Sequence, residues 1–339
     1  MGDSGGPYSG ESRRRTEPSI LLEVTLRIVT LSARRTGVTL AVGALALTSA
    51  ACGSNSSTAG TGAAGTSASA TSAAATSGTA ATSAPATASS GAIALPDNIK
   101  SAGVIKVATD ASYAPVESFA KDNKTIVGLD PDLGAALGKV LGVKVVFTNT
   151  GFDGIIPALA AGRYDMAMSA MTDNTDREKT VDFVDYFSAG TSFMIKKGGK
   201  TVNTVADLCG RKVAVEKGTT QLKDATAQSK KCALTVLPFP DQNGANLALS
   251  SGRADVVMAD SPVNAYAAKQ SGGAFEIVGT PYGTAPYGIA IPKNSTQLRD
   301  AVAAALTKLI ADGTYKTVLA KWGVSDGAVT TAKINGAAG

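Results

Sequence analysis

The hydrophobic and polar positions of this chain fall into a pattern that occurs twice. LAAGRYDMAM (159–168) and LSSGRADVVM (249–258) share the form L-x-x-G-R-x-D-x-x-M. Each reads as a helix end, a glycine stop and a short buried strand. Upstream of each lies another matched pair, IKVATDASY (105–113) and RKVAVEKGT (211–219). Both are strands of the form K-V-A-x-acid that leave a sheet for a loop. Strand, helix and strand thus recur in one order, which predicts two α/β lobes built on parallel sheets. After the second set, 284–295 reads as a strand and 298–323 as two helices. AVAAALTKLI has helical apolar spacing, with Tyr315 and Trp322 as packing residues. The lobes are therefore not consecutive. The chain is expected to cross near Ser188–Ser192 and to return near Tyr282–Tyr287, and two crossings make a hinge.

Ahead of residue 93 the pattern is that of an address. Residues 34–51, RRTGVTLAVGALALTSAA, are two arginines, an apolar run and small residues. The run is short for a bilayer span and fits a secretory signal. Cys52 follows, and then a stretch of Gly, Ser, Thr and Ala that has too little apolar surface to form a core. The small residues ending at Cys52 resemble a bacterial lipoprotein box, with Ser49 where that box prefers an aliphatic residue. This implies a diacylated cysteine as the mature N-terminus. The expected organisation is a signal peptide over 1–51, a lipid-anchored disordered tether over 52–92 that reaches roughly 35 Å, and a disordered tail over 334–339. Met1 lies far upstream for such a signal, which points to translation starting near Val24 or Val29. Between tether and tail, 93–190 with 284–333 form the first lobe and 191–283 the second.

Composition narrows the chemistry. The 339 residues carry a net charge of +5, but no Lys/Arg block of the kind that binds nucleic acid. Histidine is absent. That removes Ser-His-Asp and Cys-His catalysis and every His-ligated metal site. No cofactor or metal is expected.

In open α/β sheets, ligands bind beyond the carboxyl ends of the strands. The repeat therefore predicts the site. One lobe presents Asp110 to Tyr113 and Ser169 to Arg177, and the other presents Glu216 to Thr220 and Asp260. Arg177 offers a planar fork for a carboxylate, with Thr172 adding a hydroxyl. GTTQ (218–221) opens a helix, whose free N–H groups around Thr219 and Thr220 suit an anion. Asp260 suits an ammonium, and Tyr113 and Phe152 can flank a side chain. Together these describe a pocket for an α-amino acid zwitterion. Singly, each has a plainer reading: Arg177 paired with a surface acid, GTTQ as a helix cap, the aromatics as core, Asp260 opening a turn. Their coincidence at equivalent strand ends favours the pocket.

GLDPDLGAALGKVL (128–141) resembles the signature of the family 3 bacterial solute-binding proteins, the amino-acid receptors of ABC importers, with Pro131 in place of an aliphatic residue. The resemblance continues through FDGIIPALAAGRYD, MTDNTDREKTVDF, VAVEKGTTQ, GRADVVMAD and GTYKTVLAKWG, and covers roughly 98–323. It implies an α/β, two-lobed periplasmic-binding-protein-like fold of type II, with two crossover strands forming a hinge. It implies that Arg177, Thr172 and Thr220 hold the ligand's α-carboxylate and Asp260 its α-amino group. Asp110, Tyr113, Phe152 and Glu216 then surround the side chain, and the Ala170 carbonyl accepts from the ligand. Two acids there favour a basic or amide side chain, unless Asp110 is tied to a hinge lysine. The implied partners are an amino acid and a membrane permease, with the protein a monomer. The same fold also hosts cyclohexadienyl dehydratases, in which Glu216 would serve as general acid. A sensory binding domain is a third reading.

Cys209 and Cys232 start consecutive parallel strands of the second lobe, so their Cα atoms can lie within the ~4.4–6.8 Å of a disulfide. Export favours that bridge.

Overall fold

The computed structural model describes residues 93–337. The signal, lipidation and tether expectations for 1–92 lie outside the described residues.

The first repeat opens with helix α1 (Asp97–Ala102) and strand β1 (Val104–Thr109). A small antiparallel sheet follows, made of β2 (Ser112–Tyr113), β3 (Glu117–Phe119) and β4 (Ile126–Val127). Helix α2 (Leu129–Leu141) then buries Leu129, Leu133, Leu137 and Leu141 along one face. Each of these leucines stabilises the fold by about 1.5–3 kcal/mol. Gly142, at φ 72°, ends the helix in the left-handed region that glycine enters without a Cβ clash. Strand β5 (Lys144–Asn149), α3 (Ile155–Ala160), β6 (Met166–Ala167) and the short α4 (Thr175–Glu178) complete the set. The 16-residue strand β7 (Val181–Lys196) is buried at all but two positions.

The second repeat runs β8 (Lys212–Glu216), α5 (Thr220–Ser229), β9 (Thr235–Phe239), α6 (Gln242–Ser250), β10 (Val256–Asp260) and α7 (Ser261–Gln270). The 18-residue strand β11 (Phe275–Pro292) returns, followed by α8 (Thr296–Ala311) and α9 (Thr314–Trp322). In α8, Leu298, Ala301, Val302, Ala305, Leu306 and Leu309 are buried, the three-and-four spacing of an amphipathic helix. The two expected packing residues also carry polar links: Tyr315 donates to the Tyr186 carbonyl at 2.8 Å, and Trp322 Nε1 to Asp132 at 2.7 Å.

The strands hydrogen-bond in the order β5-β1-β6-β11-β7-β10-β8-β9. Two parallel triplets are present as expected, but they do not form separate sheets. They are joined through β7 and β11, which run antiparallel to each other and to their outer neighbours β10 and β6. The reason is directional, since one long strand carries the chain out of the first lobe and the other carries it back. Ser188–Ser192 lies inside β7. The β7–β11 register shifts three times between Val278 and Gly288, around the expected return at Tyr282–Tyr287. Such bulges bend and twist a strand locally.

Two further features bear on the sequence reading. Cys209 and Cys232, just ahead of β8 and β9, are joined by a disulfide with Cα atoms 5.7 Å apart. The expected disorder from residue 334 is corrected for the described part of the tail. Ile334 bridges Val184, and the Asn335 side chain accepts from Phe183 N at 2.8 Å and donates to Asp182 at 3.0 Å. The tail satisfies backbone groups on a face of β7 that would otherwise lack partners.

Candidate functional site

The carboxyl ends of β1, β6, β8 and β10 converge on one enclosed pocket. Asp110, Tyr113, Phe152, Ala170, Thr172, Arg177, Glu216, Thr219, Thr220 and Asp260 all line it. Glu117, Ser169 and Gln221 line it as well.

At one end sits Arg177, on the single turn of α4. Asn174 caps this turn by accepting from Arg177 N at 3.0 Å, which aims the side chain back toward the cleft. Its guanidinium donates to the Thr172 carbonyl at 2.8 Å and to the Gly218 carbonyl at 3.0 Å. The ring of Phe152 lies 5.3 Å beneath it, a cation–π contact. Burial lowers the guanidinium to about 10, a loss opposed by Asp260 and Tyr113; it stays charged at neutral pH. Opposite, Thr219 caps α5, accepting from Leu222 N at 3.2 Å and donating to the Glu216 carbonyl at 2.7 Å. The first turn of this helix adds partial positive charge facing the pocket.

Asp260 is buried but fully partnered. It accepts from the hydroxyls of Tyr287 at 2.8 Å and Tyr113 at 3.2 Å, and from Gln221 Nε2 at 2.7 Å. Burial raises its pKa, and these donors oppose the rise. The Tyr113 hydroxyl also ties the first lobe to the end of β10.

The remaining wall is acidic. Asp110 accepts from Ser112 N at 3.1 Å and Phe152 N at 3.0 Å, and none of its hydrogen-bond partners is a lysine. Its pKa is raised by burial. Burial, reinforced by Asp110, pushes Glu216 up to about 10. Glu117 is fully buried and accepts from Ser169 Oγ at 3.3 Å, its carboxyl raised well above the usual range by burial and then by the neighbouring Asp130. Asp130 accepts from the Tyr186 hydroxyl at 2.9 Å and Ala170 N at 3.3 Å. Among the described residues, four acids, Asp110, Glu117, Glu216 and Asp260, thus line a pocket whose only cation is Arg177.

The lobes meet around this pocket. Gln242 N donates to Ser112 Oγ at 3.0 Å, and Lys223 pairs with Asp176 at 2.7 Å. Gly218 abuts the backbone of Asp153.

Sequence reasoning missed Glu117 and the role of Gln221. The signal for Glu117 was a single acid closing an apolar run, SYAPVE. Gln221 was read only as part of a helix start.

Among the described residues, no helix is long and apolar enough to cross a membrane. Residues 105–325 match the model of the bacterial extracellular solute-binding proteins, family 3. The arginine-binding protein ArgT of Corynebacterium glutamicum is 34% identical, over 71% of this chain and 81% of its own. The structure of an ancestral arginine-binding protein bound to arginine superposes with a TM-score of 0.63 at 38% identity, covering 65% of this chain and 98% of that one. An ancestral amino-acid-binding protein, described as a precursor of cyclohexadienyl dehydratase, gives 0.62 at 38% identity, over 67% and 98%. With its two lobes, paired crossover strands and interlobe pocket, the chain has the type II periplasmic-binding-protein fold and belongs to the bacterial extracellular solute-binding proteins, family 3.

Proposed function

We propose that this protein is the lipid-anchored receptor of an ABC importer and that its pocket takes a polar or basic L-amino acid, a cationic side chain being favoured. The observation that carries this is the asymmetry of the pocket, one guanidinium at one end and buried acids along the rest. Arg177, with Thr172 and the first turn of α5 at Thr219 and Thr220, receives the α-carboxylate. Asp260 receives the α-ammonium, and the Ala170 carbonyl is a further acceptor. Asp110, Glu216, Tyr113 and Phe152 surround the side chain. Closure removes the zwitterion from water, so each of its charges needs a partner. Two of the similar proteins are described as arginine-binding, which supports the basic end of this range.

In this reading 93–190 with 284–333 and 191–283 are the two lobes, hinged on β7 and β11. Cys52 carries the lipid, and 52–92 holds the receptor, as a monomer, off the outer face of the membrane. Mass spectrometry of protein extracted from membranes tests the anchor, because a mature chain that starts elsewhere than Cys52, or carries no lipid mass, removes it.

The ligand is tested by thermal shift against the common amino acids, ornithine, citrulline and arogenate. At a hundred times its dissociation constant a ligand adds about 2.7 kcal/mol, or roughly 5–10 °C for a domain of this size. Shifts confined to arginine, lysine, ornithine, histidine or glutamine support the proposal. Shifts with glutamate or aspartate overturn the assignment of Asp110 and Glu216. Turnover of arogenate to product would favour the dehydratase alternative.

A further inference from the structure

Asp110 follows the end of β1, and Glu216 ends β8. The repeat thus sets two carboxyls at equivalent strand ends, one on each lobe, facing across the cleft. Both are buried, at 4% and 2% exposure, and both line the same enclosed pocket, where the Asp110 charge raises Glu216. Glu216 Oε1 has no hydrogen-bond partner among the described residues. The charged and titratable groups around the pair are Asp241 at the start of α6, Asp260 at the end of β10, and Glu117, Tyr113 and Arg177 from the first lobe. Arg177 is the one cation among them, and it is directed to the carbonyls of Thr172 and Gly218.

Two neighbouring carboxylates buried in one pocket do not both stay ionised. The closed arrangement must therefore hold either a proton or a cation between Asp110 and Glu216. Building on the amino-acid-receptor reading above, we propose that Asp110 and Glu216 form a charge-reading latch, over which the lobes close when the ligand's side chain supplies a cation or when the pair takes one proton from solution. A ligand with a cationic side chain closes the protein with no proton between the acids. A neutral ligand of the same shape closes it with one. Both ligands start from the same free protein, so their proton counts on binding differ by one whatever the free protein's protonation. Burial and the Asp110 charge, which hold Glu216 up at about 10, keep that proton bound through neutral pH.

The test is calorimetric titration of the whole chain with L-arginine and with L-citrulline, its neutral isostere, in buffers of different ionisation heat. The proton counts are expected to differ by about one, and the preference for arginine to grow about tenfold per pH unit between about pH 6 and 9. E216Q keeps a hydrogen-bonding group but cannot ionise. It is expected to bring the two counts together and to hold the change in preference below about twofold per pH unit. Equal counts in the native protein, or an unchanged slope in E216Q, overturn the latch and leave the receptor reading standing. If citrulline binds the native protein at no pH, it is expected to bind E216Q, and failure there overturns the latch as well. Failure of arginine to bind at any pH removes the basic-ligand reading and the latch with it.

Discussion

Arg177 Nη2 donates to the carbonyl oxygen of Gly218 at 3.0 Å, so one guanidinium joins α4 to the loop after β8 across the cleft. The same group spans two carbonyl directions and rests on the Phe152 ring. An ammonium cannot reproduce the fork or the stacked plane. Arg177→Lys is expected to weaken amino-acid binding by about 10- to 150-fold, the range for losing a hydrogen bond made by a charged group. Calorimetry with the best ligand of the screen reads this directly. An unchanged dissociation constant would mean that Arg177 does not hold the carboxylate.

Gly218 matters for closure as well as for its carbonyl. It sits at φ 79°, and a Cβ there would lie 2.9 Å from Asp153 Cα on the facing lobe. Gly218→Ala therefore carries about 1–2 kcal/mol of backbone strain in either form and adds a backbone clash only when the lobes meet. Binding is expected to weaken while the melting temperature without ligand drops by a few degrees. Small-angle scattering at saturating ligand should show a larger radius than the native complex. A native radius and native affinity would show that the loops have room to separate.

What the sequence made legible is what the repeat encodes. Equal patterns at 105–113 and 211–219, and at 159–168 and 249–258, locate equal strand ends, and ligand chemistry sits beyond strand ends in this architecture. Asp110, Glu216, Arg177 and Asp260 were found that way. Glu117 was not, because it hangs from a small sheet outside the repeat and its neighbour Asp130 reads in sequence as an ordinary acid in a helix first turn. Gln221 follows two threonines that already explain a helix start, and its bond to Asp260 spans 39 residues. Asn335 lies in a run of small residues that resembles the low-complexity tether. Its docking depends on the free Phe183 N–H, which no local pattern reveals.

The Cys209–Cys232 bridge closes a loop of 23 residues around α5, the helix whose first turn faces the pocket. Cross-linking a loop of that length restricts the unfolded chain by about 3 kcal/mol. Cys232→Ser is expected to lower the midpoint of denaturant unfolding by a corresponding amount while leaving ligand affinity within about twofold at temperatures where the fold persists. A larger loss of affinity would mean that the bridge positions Thr219 and Thr220 rather than only stabilising the lobe.

A further acidic pair, outside the pocket lining, makes stability depend on pH. Asp173 and Asp185 are buried, at 1% and 3% exposure, where the C-terminal tail packs on β7 and the Lys333 carbonyl accepts from Asp185 N at 2.8 Å. Burial, aided by Asp185 and Glu178, pushes Asp173 up to about 8, and burial lifts Asp185 to about 6. In the unfolded chain both would titrate near the ordinary value of about 3.9. Because folding raises these carboxyls, the native state retains protons that the unfolded chain releases. The contribution to stability is full below about pH 4 and is lost as pH rises through 6 toward 8. Asp173→Asn replaces the proton with a permanent amide donor to Asp185. Its melting temperature is expected to exceed that of the native protein at pH 8, to approach it near pH 4, and to fall less steeply in between. Parallel melting curves for the two proteins across that window would show that the pair is not protonated in the native state.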